Sequence, residues 1–214
     1  IRTEAEGLQQ LADSLGGEAA AAFDHAVDII LATRGRTIVS AIGKSGYIAR
    51  KLAATLSSTG TPAIYIHPAE ASHGDLGAIT SQDVIILLSN SGESAELAPI
   101  VSYAKRFQVP VIAITSRLAS ALGRQADVVL QIPAAVEACP NGLAPTTSTL
   151  LQLALSDALA MALLKARNFQ PADFRIYHPG GMLGAKIRTV ESLMHRGAEL
   201  PTVSASLRMR DAIV

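Results

Sequence analysis

The chain has 214 residues, of which 18 are basic and 18 acidic, so its formal net charge is zero. Apolar residues make up 49% of it, which excludes a disordered chain and is enough for one sizeable core. Because the chain has no net positive charge, we expect no nucleic-acid partner. We also expect no membrane span, because no apolar run reaches about 18 residues.

The predicted elements alternate between helix and strand. Residues 4–33 have helical spacing and end before Gly35, which predicts one or two helices. Short apolar runs typical of strands buried on both faces follow at 37–42, 62–66, 84–88, 109–115 and 128–132. Helical segments lie at 47–58, 97–107 and 146–167. This order predicts an α/β fold with a five-stranded parallel sheet flanked by helices.

The sheet pattern ends before residue 189. Beyond it, a Gly and a Pro punctuate short segments, and the last residues stop in mid-pattern. We therefore expect one domain over residues 1–188 and the start of a second, truncated domain over residues 189–214.

Two turns rich in Ser and Gly follow the first and third predicted strands. They are Gly-Lys-Ser-Gly at 43–46 and Ser-Asn-Ser-Gly-Glu-Ser at 89–94. Ligands of open parallel sheets bind beyond the carboxyl ends of the strands, where such turns offer N–H groups and hydroxyls to a phosphate. The structural alternative is that Ser and Gly only cap helices and form tight turns.

The Gly-Lys-Ser string does not belong to a nucleotide-binding P-loop. That motif needs a glycine at position 38, where this chain has Ile38 inside a predicted strand. We therefore exclude ATP and GTP hydrolysis, and the dinucleotide fingerprint is absent too. A monophosphate is the ligand that these turns can hold.

Charged side chains in apolar or Gly/Pro-rich contexts are the candidates for chemistry: Lys44, His67, Glu70, His73, Asp75, Glu96, Glu137 and His178. Each has a structural alternative, because carboxylates such as Glu93 and Glu96 in a helix's first turn favour its macrodipole and a lone His is often structural. The His spacing does not resemble a zinc site, so we expect no metal.

Phosphate-holding turns combined with carboxylates and a His suit aldose–ketose isomerisation of a sugar phosphate. That reaction needs acid–base groups and no cofactor, and the sequence shows no cofactor motif. The single cysteine, Cys139, has no partner for nucleophilic catalysis. It also cannot form an internal disulfide, which is typical of a cytoplasmic protein.

Four strings carry a family resemblance over residues 5–188: AIGKSGYIARKLAATLSSTGTPAIYIHPAEASHGDLGAI, LSNSGES, EACPNGLAPTTSTLLQLALSDALA and DFRIYHPGGMLG. They closely resemble the arabinose-5-phosphate isomerases of the sugar isomerase (SIS) domain family, and the tail resembles the opening of a CBS domain. Departures from the family pattern are Arg175 and Tyr177 before His178, and Ser156 in place of a Gly.

The resemblance implies a flavodoxin-like or Rossmann-like sandwich that interconverts D-ribulose 5-phosphate and D-arabinose 5-phosphate through an enediol. It implies a supply of 3-deoxy-D-manno-octulosonate (Kdo) for lipopolysaccharide and a homotetramer with shared active sites. The implied catalytic residues are Lys44, Glu96, Glu137 and His178. The implied substrate-binding residues are Ser45, Gly60, Thr61, His67, His73, Ser89, Ser91, Ser94 and Thr149, with Ser148 as an alternative to Thr149.

Two other functions stay open. One is a sugar-phosphate-binding regulatory module without catalysis, because a fold does not determine a function. Such a sensor could retain the Ser turns and lose Lys44, Glu137 or His178, all of which this chain has. The other is an isomerase that acts on a different sugar phosphate.

Overall fold

The five apolar runs form one parallel sheet in a computed structural model of the chain. Its strands are β1 (Thr37–Ser40), β2 (Ala63–Tyr65), β3 (Val84–Leu88), β4 (Val111–Thr115) and β5 (Val128–Gln131). They are ordered β2-β1-β3-β4-β5, and each neighbouring pair is parallel. The predicted fold class is confirmed.

Helices connect the strands and cover both faces of the sheet. They are α1 (Arg2–Ser14), α2 (Glu18–Ala32), α3 (Gly43–Ser58), α4 (Pro68–Ala71), α5 (Ala98–Phe107), α6 (Ala121–Gln125) and α7 (Thr147–Ala166). Helix α3 begins at Gly43, so residues 43–46 form its first turn and not a separate loop before it. The sequence did not predict α4 and α6.

The strands divide their side chains between two cores, because successive residues of a strand point to opposite faces. Val39, Ile86 and Ile112 pack with residues of α1, α2, α3 and α7. Ile38 and Ile85 pack on the opposite face with residues of α4 and α5. A sheet buried on both faces explains why its strands are continuous apolar runs and not alternating ones.

Helix α7 requires a correction to the expectation about membrane spans. By length and composition it is apolar enough to cross a membrane, but half of that stretch is buried inside the fold. Its buried leucines, among them Leu151, Leu155 and Leu159, belong to the core on the α3 side of the sheet. Asp157 of α7 forms an ion pair with Lys51 of α3. Its apolar composition therefore follows from its place as a core helix.

The structure describes residues 1–178, 190, 194–200 and 202–212. The chain divides into two compact units, Ile1–Gln170 and Pro171–Val214. The second unit contains helix α8 (Pro171–Tyr177), a 3₁₀ turn at Gly197–Glu199 and a helical turn at Met209–Ala212. The predicted domain boundary at 188/189, and residues 179–181 of the His-Pro-Gly-Gly string, lie outside the described residues.

Candidate active site

The strand order places a crevice between β1 and β3. From β1 the chain crosses to β2 on one side, and from β3 it crosses to β4 on the other, so the connections diverge at this point. Open α/β sheets bind ligands where such connections diverge, beyond the carboxyl ends of the strands. The first turn of α3 follows β1 there, and the loop at 89–94 follows β3.

The 89–94 loop, the six residues that follow β3, is tied together by its own hydroxyl groups. The Oγ atoms of Ser89 and Ser94 lie 2.9 Å apart, and the Gly92 amide donates to Ser89 Oγ at 3.1 Å. The Glu93 amide donates to Ser91 Oγ at 3.2 Å. Gly92 has a φ of +68°, a backbone conformation that glycine adopts without strain. The three predicted serines are therefore brought together in one preorganised loop.

Helix α6 holds this loop from outside, a contact that the sequence did not predict. The Leu122 amide donates to the Gly92 carbonyl at 2.9 Å, and the Ala121 amide donates to Glu93 Oε1 at 3.1 Å. The expectation that Glu93 lies in the first turn of a helix is wrong, because Glu93 lies in the loop and caps α6. The one sequence signal was Ser120, whose hydroxyl caps α6 by accepting from the Gly123 amide.

The amino end of α3 forms the other wall of the crevice. Lys44 is exposed and Ser45 is half-buried in its first turn, where backbone N–H groups have no partner within the helix. A cleft of about 310 Å³ adjoins this turn and is lined by Gly43, Gly46, Tyr47, Arg50, Tyr65 and His67. Lys44, Ser45 and His67 therefore lie at the same edge of the sheet as the 89–94 loop.

Tyr65 and Arg50 shape this cleft. The Tyr65 hydroxyl donates to the Ala41 carbonyl at 2.8 Å, and the Arg50 guanidinium lies 4.1 Å from the centre of the Tyr65 ring. Burial raises the pKa of Tyr65 more than the nearby Arg50 charge lowers it. His67 Nδ1 accepts from the Ala69 amide at 3.2 Å, so it caps α4 and leaves Nε2 as the ring nitrogen for a ligand.

Glu137 lies between β5 and α7 and accepts hydrogen bonds at the amino end of α7. Its Oε2 accepts from the Thr146 amide at 2.7 Å, the Thr146 hydroxyl at 3.0 Å and the Ser148 amide at 3.3 Å. Burial is the largest influence on the pKa of Glu137 and raises it, but the hydrogen bonds from Ser148 and Thr146 together outweigh burial. The pKa therefore lies below its usual range, and Glu137 is ionised at neutral pH.

The direction of α7 places Glu137 at the same edge as the crevice. Arg167 follows the end of α7, and its Nε donates to Thr61 Oγ1 at 2.9 Å. Thr61 precedes β2, so α7 ends at the amino edge of the sheet and begins at the carboxyl edge. Thr149, in the first turn of α7, donates its hydroxyl to the Thr146 carbonyl at 2.7 Å.

For four predicted site residues, the structure shows no hydrogen bond to the 89–94 loop or to Glu137 among the residues that it describes. Gly60 and Thr61 lie at the amino edge, and Gly60 is packed so closely against Phe169 that a Cβ would lie 2.6 Å from its ring. Within this chain the structure does not bring these two residues together with the 89–94 loop. His73 is exposed after α4, and Glu96 is exposed in the 3₁₀ turn Ala95–Leu97 that precedes α5.

His178 belongs to the second unit, at the end of α8. Its ring stacks on Phe174 with 3.8 Å between ring centres, and its Nδ1 lies 2.9 Å from the Phe174 carbonyl oxygen. Nδ1 therefore donates to that carbonyl and Nε2 is left as the acceptor of a neutral ring, a tautomer inferred from the hydrogen bond.

Two wider clefts, of about 430 and 470 Å³, lie at the amino edge of the sheet. The carboxylates that line these clefts accept hydrogen bonds from backbone amides next to or at the start of strands. Asp83 Oδ1 accepts from the Arg36 amide at 2.6 Å, and Asp127 Oδ2 accepts from the Val111 amide at 2.8 Å. Because these groups are already occupied, we place the site in the smaller cleft at the carboxyl edge, where parallel sheets bind ligands.

Metal-binding groups and the thiol of Cys139 differ in the described part of the chain. Among those residues no three His, Cys, Asp or Glu side chains lie close enough to hold a metal ion. Cys139 is half-buried in the loop before α7. Amide hydrogen bonds from Ala144, Leu143 and Asn141 lower the pKa of the Cys139 thiol, which favours its thiolate.

The profile of the SIS domain matches residues 30–162. This chain belongs to the SIS domain family. The arabinose 5-phosphate isomerase KdsD of Yersinia pestis is 47% identical over 100% of the chain and 64% of its own length. KdsD of Escherichia coli strain K12 is 50% identical over 90% of the chain and 59% of its own length. The chain thus spans about three fifths of these curated relatives.

Solved structures of the SIS domain family include close likenesses. E. coli CFT073 c3406 in complex with A5P is 39% identical, with a TM-score of 0.79 over 83% of this chain and 93% of that one. The RpiR transcription factor of Sphaerobacter thermophilus, in its sugar isomerase domain, is 21% identical with a TM-score of 0.62, and shares the fold alone.

Proposed function

We propose that this chain carries the catalytic domain of an aldose–ketose isomerase that interconverts D-ribulose 5-phosphate and D-arabinose 5-phosphate. The observation that carries the proposal is the meeting of a preorganised serine loop, Lys44 and an ionised Glu137 at one edge of the sheet. These groups are suited to phosphate binding and acid–base chemistry, and they lie at the same edge of the sheet. The curated KdsD relatives support the choice of substrate.

The phosphate of the sugar binds in the 89–94 loop. Ser89, Ser91 and Ser94 present hydroxyls there, and the first turn of α3 adds unpaired N–H groups together with Ser45. Because the loop is tied to itself and to α6, it does not need to reorganise when the anion enters. Fixing the phosphate orients the carbon atoms of the sugar for proton transfer.

Isomerisation moves one proton between neighbouring carbons. A carboxylate removes the proton from C1 of the ketose, with Glu137 as the first candidate for this base and Glu96 as the second. The product is an enediolate over C1 and C2, which Lys44 stabilises. The same acid returns the proton to C2 while the proton of the O1 hydroxyl passes to O2, so that the carbonyl group then lies at C1. Glu137 is suited to this because the amino end of α7 donates hydrogen bonds to its Oε2, which fixes the position of the carboxylate.

His178 opens the sugar ring or moves hydroxyl protons, with Nε2 as the group that exchanges them. The chain assembles into a cytoplasmic homotetramer with shared active sites, in which His178 acts. The residues that line the sugar are Gly60, Thr61, His67, His73 and Thr149. The tail from residue 189 begins a CBS domain, and the product of the reaction supplies Kdo for lipopolysaccharide.

Light scattering tests whether the protein is a tetramer. Mixing inactive Glu137→Gln chains with inactive His178→Ala chains tests whether active sites are shared between subunits, because a shared site regains activity in mixed oligomers.

The decisive experiment is incubation of the purified protein with ribulose 5-phosphate and identification of the product by NMR. We expect arabinose 5-phosphate, and we expect Glu137→Gln to lower kcat by about 100-fold or more, as loss of a general base does. Glu6→Gln, an exposed carboxylate on α1, is the matched control. No product from folded protein would contradict the proposal, and normal turnover of Glu137→Gln would remove Glu137 as the base.

The phosphate assignment has a test of its own. Combining Ser89→Ala with Ser91→Ala removes two hydroxyls from the loop, so KM for ribulose 5-phosphate rises. An unchanged KM would contradict phosphate binding at this loop.

The alternative functions predict different outcomes of the incubation. A regulatory module binds the sugar phosphate in calorimetry but gives no product. An isomerase for another sugar phosphate turns over a hexulose phosphate in preference to ribulose 5-phosphate. The likeness to the RpiR transcription factor concerns the fold alone and favours neither.

A further inference from the structure

The carbonyl oxygen of Asn90 is anchored by the end of β4. It accepts hydrogen bonds from the Ser116 hydroxyl at 2.7 Å, the Ser116 amide at 3.0 Å and the Thr115 hydroxyl at 3.2 Å. Three donors share the two lone pairs of this carbonyl oxygen, and the Ser116 hydroxyl makes the shortest of the three bonds. Thr115 is fully buried, which holds the anchor in place.

This anchor determines where the next amide points. The described chain has no cis peptide, so the N–H of Ser91 points opposite to the carbonyl of Asn90. The carbonyl faces β4, and β1 lies on the other side of β3. The Ser91 N–H therefore points toward the crevice between β1 and β3. It has no acceptor among the residues that the structure describes.

The hydroxyl of Ser91 is also available to donate a hydrogen bond to a ligand. Its Oγ already accepts a hydrogen bond from the Glu93 amide at 3.2 Å, so its own proton is available for another acceptor. On the α6 side, the Leu122 amide fixes the Gly92 carbonyl at 2.9 Å. Ser91 is exposed and offers two donors whose backbone is restrained on both flanks. An anion such as a phosphate satisfies both donors.

We propose that Ser116 is a positioning residue of the anion site, which acts through the Asn90 carbonyl to aim the Ser91 N–H at the phosphate of the substrate. The proposal rests on the proposed function, because that phosphate belongs to the sugar phosphate. It adds a residue outside the 89–94 loop, directly after β4, a strand that no predicted site residue follows. Ser116 affects ground-state and transition-state binding equally, because the phosphate does not react.

The test compares Ser116→Ala with the wild-type protein. We expect KM for ribulose 5-phosphate and the inhibition constant of inorganic phosphate each to rise about 3- to 10-fold, as for one lost hydrogen bond, with kcat within about twofold. Ser116→Thr retains the hydroxyl and restores both constants. Ser14→Ala removes a hydroxyl-to-carbonyl bond of 2.8 Å at the end of α1 and serves as the control that changes neither constant.

The outcomes separate this proposal from the proposed function. A wild-type protein that isomerises ribulose 5-phosphate, with a Ser116→Ala variant of unchanged phosphate inhibition, overturns the role of Ser116 alone. A wild-type protein that neither isomerises the sugar nor binds phosphate overturns both. If Ser116→Ala fails to fold, the Ser116→Thr variant tests the role of Ser116 instead. It retains the hydroxyl, so weakened inhibition by phosphate in this folded variant would contradict positioning through the hydroxyl.

Discussion

A carboxylate that accepts hydrogen bonds from a helix end differs as an acid from one in water. Glu137 accepts from Thr146 and Ser148, and these bonds lower its pKa although burial acts against them. The same contacts supply an acceptor to the first turn of α7, whose own N-cap side chain makes no capping bond. Glu137 therefore has a structural task as well as the proposed catalytic one.

The structural task predicts a pH-dependent loss of stability in Glu137→Gln. Because the folded pKa of Glu137 is lowered, its stabilisation is present above the ordinary carboxyl pKa and is lost as pH falls through the folded value. At neutral pH we expect the variant to lose about 1–2 kcal/mol in urea unfolding, and the difference to shrink in acid. Glu6→Gln should show no difference at either pH. An equal gap at both pH values would contradict capping by the charged carboxylate.

At the scale of elements, the 89–94 loop takes its shape from α6. Gly92 faces Ser120, and a Cβ on Gly92 would lie 2.0 Å from the Ser120 hydroxyl oxygen. Its positive φ adds strain for any other residue. Two elements distant in sequence therefore meet with no room for a side chain.

Replacing Gly92 by Ala tests this fit. We expect a loss of at least about 2 kcal/mol in urea unfolding together with weakened phosphate inhibition, because the loop must move away from Ser120. Gly17→Ala is the control, since Gly17 has a φ of +54° and open space at its Cβ position, and should cost only about 1 kcal/mol. Equal losses in the two variants would contradict the steric argument.

The wrong expectations also belong to the scale of elements. The Gly-Lys-Ser-Gly string was expected as a turn before a helix, but it is the first turn of α3. Helices α4 and α6 have four and five residues, too few for a helical period to show in the sequence. Glu93 was expected to favour the helix that follows it, and the contact with α6 depends on a segment 28 residues away.

At the scale of the whole molecule, the two compact units separate the proposed functions. Ile1–Gln170 contains the sheet, both cores and the 89–94 loop, whereas His178 belongs to Pro171–Val214. Under the proposed function, phosphate binding is therefore expected of the first unit, and proton movement by His178 is expected to need the second.

Truncation after Gln170 tests this division. We expect residues 1–170 to unfold cooperatively on heating and to retain binding of inorganic phosphate in calorimetry. We expect kcat to fall about 100-fold or more, because a general acid–base group is lost. His178→Ala in the full chain should reproduce the loss of kcat. A truncated protein with full activity would exclude His178 from the reaction, and one that does not fold would show that the units depend on each other.

The sequence by itself determined the fold class, because strands buried on both faces must be apolar throughout and are recognisable as runs such as 84–88. It also pointed to the serines of the 89–94 loop, since residues after parallel strands meet at one edge. Only the tertiary structure decided the strand order, the cap that Glu137 forms on α7 and the support of Asn90 by Ser116. The contact between Ser116 and Asn90 joins residues 26 positions apart, and the Glu137 cap spans an irregular loop, so no helical or strand pattern of side chains encodes their direction.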